Sequence, residues 1–176
     1  MRKISFRDDV LPLKNGLYRL ALRITLNAAE AEDTVQDTLI RVWEHREEWE
    51  QIESIEAYAY TICRNIALDI AGKAGHGNVQ FSTINLSADS QISNFNSQLL
   101  PDESQEKQER LSLVRKLMDT LPEVQRSIME LRDIEGKTYQ EIANILQLSE
   151  SQVKVYLHRA RTSIRQQAEK IEKYGL

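Results

Sequence analysis

Near the end of the chain two helix-capping signatures stand eleven residues apart: TYQE (Thr138–Glu141) and SESQ (Ser149–Gln152). In each, the leading hydroxyl can accept from the backbone N–H three residues on. The fourth side chain can reach back to the N–H of the cap. The first box opens a short helix to Leu146, and the second opens another about three residues later. Two helices joined that tightly must cross steeply, which is the shape of a helix-turn-helix. A steep crossing needs a small residue where the backbones approach, and Ala143 supplies it. It also needs an apolar wedge, and Ile142, Leu146, Leu148, Val153 and Tyr156 are placed to fill it. The turn residue, Gln147, falls where the backbone often adopts positive φ, at a cost on the order of 1 kcal/mol for a non-glycine.

The second helix carries the chemistry. Val153, Leu157, Ala160 and Ile164 follow helical spacing and predict its inward stripe. Ser151, Gln152, Lys154, Val155, His158, Arg159, Arg161 and Thr162 are left to solvent. From Gln152 to Arg165 there is no acid, although the chain has a formal charge of -4. A local basic face, rather than net charge, marks a nucleic-acid binder. In this motif the second helix enters the major groove and its first turns read base edges. Ser151, Gln152, Lys154 and Val155 are therefore the base-reading candidates. Arg159, Arg161 and Arg165 suit phosphates, which position without specifying.

The rest of the chain also reads as helix. Only three Pro and six Gly interrupt 176 residues, so an all-α protein is expected. Upstream, helices are expected over 8–26, 28–46 and 55–71. Asn27 with Glu30, and then Ser54, are the caps, and Gly72 and Gly75 the stops. A helix over 107–119 follows, and TLPE (Thr120–Glu123) is expected to cap another, with Pro122 in its first turn. Between the halves lies a Ser-, Asn- and Gln-rich stretch without sustained period. It still carries Phe81, Ile84, Leu86, Ile92 and Phe95, which suggests docking points. The expected organisation is two helical domains, 1–74 and 107–176, joined by a flexible linker over 75–106.

Several function classes fall away. No apolar run approaches the roughly 20 residues of a membrane helix. The start, MRKISFRDDVLPLKNG, lacks an export-signal core, and Cys63 is the only cysteine. A cytoplasmic protein without disulfides is the expectation. His45, His76 and His158 are far apart, so no metal-ligand spacing exists. There is no phosphate-cradling glycine loop and no nucleophile elbow. An enzyme is not expected, nor a cofactor.

The two halves together resemble a known family. LPEVQRSIMELRDIEGKTYQEIANILQLSESQVKVYLHRARTSIR is similar to domain four of bacterial RNA polymerase sigma factors. LYRLALRITLNAAEAEDTVQDTLIRVWEHREEW is similar to their domain two, and SIEAYAYTICRNIALDIAG to its continuation. The short length, with no domain between, resembles the extracytoplasmic-function group. The resemblance implies a factor that binds core RNA polymerase and directs it to promoter DNA. It implies that the second helix meets the polymerase clamp, with Asp33, Gln36, Asp37, Arg41 and Trp43 as contacts. From Glu30 to Glu56 ten acids face Arg41 and Arg46 alone, a surface that repels DNA and suits a basic protein groove. It implies that the third helix and the loop before it hold the minus-ten element, through Trp49, Tyr58, Arg64, Asn65 and Lys73. Aromatic faces there can stack unpaired bases, and Tyr60 is either a further one or a core residue. It implies that Ser149 to Arg165, with Ser149 and His158 completing the set, reads the minus-thirty-five duplex. An anti-sigma protein is the further partner it implies.

Two other functions compete. A stand-alone helix-turn-helix regulator would use the basic helix but not the acidic second helix followed by an aromatic-basic one. A protein-interaction module would need neither Lys154 nor Arg159. The acidic stretch and the basic last helix are also complementary enough to allow a closed, self-inhibited form.

Overall fold

The computed structural model describes residues 3–73 and 105–174, and every regular element among them is helical. The expected linker, apart from Gln105 and Glu106, lies outside the described residues, and so do its five apolar side chains.

The first expected helix begins later than its periodicity predicts. Pro12 lacks an N–H and its ring meets the carbonyl four residues back. The chain answers with a π-turn over Phe6–Val10 and a 3₁₀ turn over Leu11–Leu13 before α1, Lys14–Thr25, can start. Helix α1 stops at Leu26, which takes left-handed φ 56 and donates its N–H to the Leu22 carbonyl. Asn27 then caps α2, Ala28–Glu44, its Oδ1 accepting from the Glu30 N–H at 3.1 Å. The inner face of α2 is Ala31, Thr34, Val35, Thr38 and Val42. Both threonine hydroxyls donate to carbonyls one turn back, Thr34 to Glu30 and Thr38 to Thr34, so neither is an unpaired buried polar group. Ser54 caps α3, Ile55–Lys73, which runs through Gly72 rather than ending there. Gly16 in α1 is required by close approach: a Cβ there would overlap the Tyr60 hydroxyl. Tyr60 is a core residue, 2% exposed, and burial raises its pKa well above the usual phenol range. Cys63 is buried, donates to the Leu17 carbonyl at 3.4 Å, and burial pushes its thiol up to about 12. These contacts make α1–α3 one three-helix unit.

The second unit is α4 (Gln105–Met118), α5 (Glu123–Met129), α6 (Tyr139–Leu146) and α7 (Glu150–Tyr174). The expected TLPE cap does not form. Pro122 itself occupies the cap position, and the Thr120 hydroxyl donates to the Leu117 carbonyl at 2.6 Å. A hydroxyl with a nearer carbonyl to satisfy is not available to the next helix. The other two boxes close fully. Thr138 and Glu141 exchange bonds of 3.2 and 2.7 Å, and Ser149 and Gln152 bonds of 3.1 and 2.9 Å. Gln147 lies at φ 55, ψ 46, and Gly136 at φ 72 ends the preceding turn. Ile142, Ala143, Leu146, Val153, Leu157 and Ala160 are buried in the wedge. Each of the larger aliphatic ones contributes roughly 1.5–3 kcal/mol by leaving water.

The units pack together, α5 and the turn after it against α1, and α6 against α3. This closure does not join the acidic stretch to the last helix. Arg161 of α7 pairs instead with Asp133 of its own unit, while Glu56 reaches across to Lys137.

Candidate nucleic-acid interface

Helix α7 rests on Val153, Leu157 and Ala160, and this fixes what faces outward. Ser149, Ser151, Gln152, Lys154, Val155, His158, Arg159, Arg161 and Arg165 are all exposed, as the spacing predicts. Val155 is 48% exposed, an apolar side chain among polar ones on the reading face. Such a group can meet a thymine methyl. Lys154 and Arg132 both sit over the Tyr139 ring, at 5.3 and 4.4 Å from its centroid. The ring therefore holds two cations at the mouth of the motif. Arg161 differs from Arg159 and Arg165. Its Nε donates to Asp133 at 3.2 Å, with a second bond from Nη2, and the hydrogen bond to Asp133 raises its pKa further.

On α2 the outer face carries Asp33, Gln36, Asp37 and Arg41, all exposed. At its C-terminal end Trp43 is 47% and Ile40 55% exposed. Trp43 is held by edge-on contacts to Phe6 at 5.3 Å and Trp49 at 6.3 Å, with Arg46 over its ring at 4.8 Å. Acids and a partly apolar patch thus lie on one helix. Such a patch fits a protein partner.

The minus-ten set is divided. Trp49 is 7% exposed and its indole N–H donates to the Val42 carbonyl at 3.0 Å. Its stacking role is corrected: the loop before α3 is a 3₁₀ turn, Arg46–Gln51, that turns the indole inward. Tyr58 is half-buried and its pKa is raised, by burial and then by Glu48. Asn65, seven residues on, shares its stripe of α3 and is exposed, as is Lys73. Arg64 points the other way, to Glu123 of the second unit at 3.3 Å.

Sequence reading missed the residues between the units. Arg19 meets Glu135 at 2.6 Å, and Arg23 meets Asp119 at 2.8 Å. Glu130 is 1% exposed, with neither carboxylate oxygen hydrogen-bonded and Arg19 at 3.9 Å. A signal existed: Arg23 lies on the apolar face of α1, and Glu130 interrupts the run Ile128, Met129, Leu131.

Comparison with known proteins matches the same two units. Sigma-70 region 2 fits residues 10–76, and Sigma-70 region 4 fits residues 111–164. The ECF RNA polymerase sigma factor SigL of Mycobacterium tuberculosis is 33% identical over 150 residues, 85% of this chain and 80% of SigL. The chain belongs to the ECF RNA polymerase sigma factors. This sigma factor binds core RNA polymerase and directs promoter recognition and transcription initiation. A stand-alone regulator would have no use for region 2, so that reading falls away. SigW of Bacillus subtilis is 26% identical over 177 residues, covering 93% of this chain and 88% of SigW. The fold is that of the sigma factor RpoE solved with the anti-sigma factor NepR from Bartonella quintana. The TM-score is 0.67 at 20% identity, covering 93% of this chain and 96% of that one. CnrH, solved with the cytosolic domain of CnrY, gives 0.65 at 18% identity, with 94% and 88% covered.

Proposed function

We propose how the surfaces divide this work. The first unit, residues 1–74, meets the polymerase through Asp33, Gln36, Asp37, Arg41 and Trp43. It holds the minus-ten strand through Tyr58, Arg64, Asn65 and Lys73. The second, residues 107–176, lays α7 in the major groove of the minus-thirty-five element. There Ser151, Gln152, Lys154 and Val155 read bases, with Ser149 and His158 at the edges of the reading face. Arg159, Arg165 and, once released from Asp133, Arg161 hold phosphates.

The observation that carries this reading is the opposition of two helix faces on one chain. One is acidic with an exposed tryptophan; the other is acid-free, basic and built on a doubly capped helix-turn-helix. The factor has no chemical step of its own and works in the cytoplasm, beside the polymerase. An anti-sigma protein is the further partner proposed, since the RpoE and CnrH structures are complexes with NepR and CnrY. No helix among the described residues is long and apolar enough to cross a membrane.

The test is run-off transcription from a promoter library with core polymerase, with and without this protein. New starts that share upstream minus-thirty-five and minus-ten motifs are expected. Their absence, with tight duplex binding by the protein alone, would overturn the division of labour.

A further inference from the structure

The cap of α7 employs one of the residues assigned to base reading. Gln152 accepts from the Ser149 N–H through its Oε1 at 2.9 Å, and its own backbone N–H donates to the Ser149 Oγ at 3.1 Å. A backbone N–H can be met only by an acceptor, so the amide oxygen, and not the amide nitrogen, lies at the helix end. The two bonds are reciprocal and hold the side chain before any DNA arrives. Gln152 is exposed, and what it has left to offer is its amide N–H2.

Helix α6 supplies the comparison. There the matching position of the box is Glu141, which reaches back to the Thr138 N–H at 2.7 Å. Either residue type completes a capping box. A glutamate caps with one oxygen and turns a second acceptor outward. A glutamine caps with its only oxygen and turns donors outward. The two boxes are alike as caps and opposite in what they present, and the helix placed in the groove carries the donor.

A base edge feels this difference. Glutamine ordinarily meets adenine with both ends of its amide, the oxygen on N6–H2 and the nitrogen on N7. Here the oxygen would first have to leave Ser149. The Ser149 N–H would then be an orphan donor beneath the DNA, where water does not replace the lost bond. Guanine makes no such demand, because N7 and O6 are both acceptors and lie side by side. Cytosine presents an N4–H2 donor, which a donor cannot meet. Lys154, with its Nζ over the Tyr139 ring at 5.3 Å, is a donor without acceptor capacity as well.

We propose that Gln152 is a specificity-determining residue that reads through its amide N–H2 alone, and that the capping bond to Ser149 makes it select guanine over adenine. This rests on the assignment of α7 to the minus-thirty-five duplex and states what one of its readers demands of that duplex.

The test is selection of active promoters, by run-off transcription with core polymerase and the full chain, from a library randomised across the minus-thirty-five element. Wild type is compared with Gln152→Glu, Gln152→Ala and Val155→Ala. Base ratios at each position are read rather than total activity, so a general loss of affinity does not disturb the result. In wild type one position should favour guanine over adenine by at least about fivefold. Gln152→Glu keeps the capping oxygen but has no N–H to present. At that position, on the same strand, it should lose guanine and gain cytosine, whose N4 donates. Gln152→Ala should relax the position altogether. Hydrogen exchange reads the cap itself: the Ser149 amide should be protected in wild type and in Gln152→Glu, and exposed to exchange in Gln152→Ala.

Any base other than guanine preferred by wild type at the position that the Gln152 variants alter overturns the proposal. So does guanine retained by Gln152→Glu, or a Ser149 amide that exchanges freely in wild type. Val155→Ala separates the two levels. If it shifts selection at another position while both Gln152 variants shift none, α7 still reads the duplex and only the role of Gln152 falls. If all three variants support transcription with unchanged selection, the assignment of α7 to the minus-thirty-five element falls, and this proposal with it.

Discussion

The arginines of α7 are not equivalent, and salt dependence should expose this. Arg159 and Arg165 are exposed, whereas Arg161 is bound in two places to Asp133. Removing one arginine–phosphate pair should flatten the slope of log affinity against log salt by about 0.9. Between about 50 and 200 mM salt, a fourfold change, one such pair is then worth about 3.5-fold in affinity. Arg159→Ala should remove one pair, and the set Lys154→Ala, Arg159→Ala, Arg165→Ala up to three, about 40-fold over the same interval. Arg161 must first leave Asp133. An exposed ion pair of this kind holds at most about 1 kcal/mol, about fivefold. Asp133→Asn should therefore tighten holoenzyme binding to minus-thirty-five duplex by up to that factor and steepen the slope by about one phosphate's worth. Arg161→Ala should flatten it less than Arg159→Ala does. The assay is holoenzyme affinity for promoter duplex across the salt series. A slope unmoved by Arg159→Ala would refute the phosphate assignment. Equal effects at Arg159 and Arg161 would refute the competition between Asp133 and DNA.

Asp33→Lys with Asp37→Lys should abolish most capture of core polymerase with the helical circular-dichroism signal intact, since both side chains are exposed on α2; undiminished capture would move the polymerase surface elsewhere. Trp49→Ala should cost about 3–5 kcal/mol of stability, read by denaturant unfolding, because it empties a core site; a variant of normal stability that fails only in promoter melting would return Trp49 to the DNA surface. Burial raises the pKa of Glu130, opposed by Arg23 and Arg115 and then Arg19, with Glu135 adding to the rise. A raised carboxyl favours the folded, closed form fully at pH values below the ordinary carboxylate range, and that advantage is lost as pH rises through the raised value. Glu130→Gln should remove this falling limb from a plot of unfolding free energy against pH; an unaltered profile would show that Glu130 is charged and accommodated.

What the sequence made legible was local. Capping boxes at Thr138 and Ser149 and the helical stripes depend on neighbours three or four positions apart, and they held. The failures arose where a second demand, local or tertiary, competed with the one the pattern showed. The periodicity through Asp8 is helical, but Pro12 cannot extend it. Thr120 is placed to cap α5, but its hydroxyl meets the Leu117 carbonyl first. Trp49 reads as an exposed loop aromatic, but its indole N–H turns inward to the Val42 carbonyl. Arg64 was legible as a cation on α3. Its partner, Glu123, lies 59 positions away, across residues that carry no period to place them.

The charge of the second unit is best understood as two layers. Its α7 face carries Lys154, Arg159, Arg161 and Arg165, and its α4–α5 side carries Asp119, Glu123 and Glu130 beside cations such as Arg115 and Arg126, with Glu135 just beyond. Within one small unit that separation would be wasteful if DNA binding were the only task, because acids near a phosphate backbone weaken the field that attracts it. The layers make sense when the acidic side has its own partner, and α1 and α3 supply one.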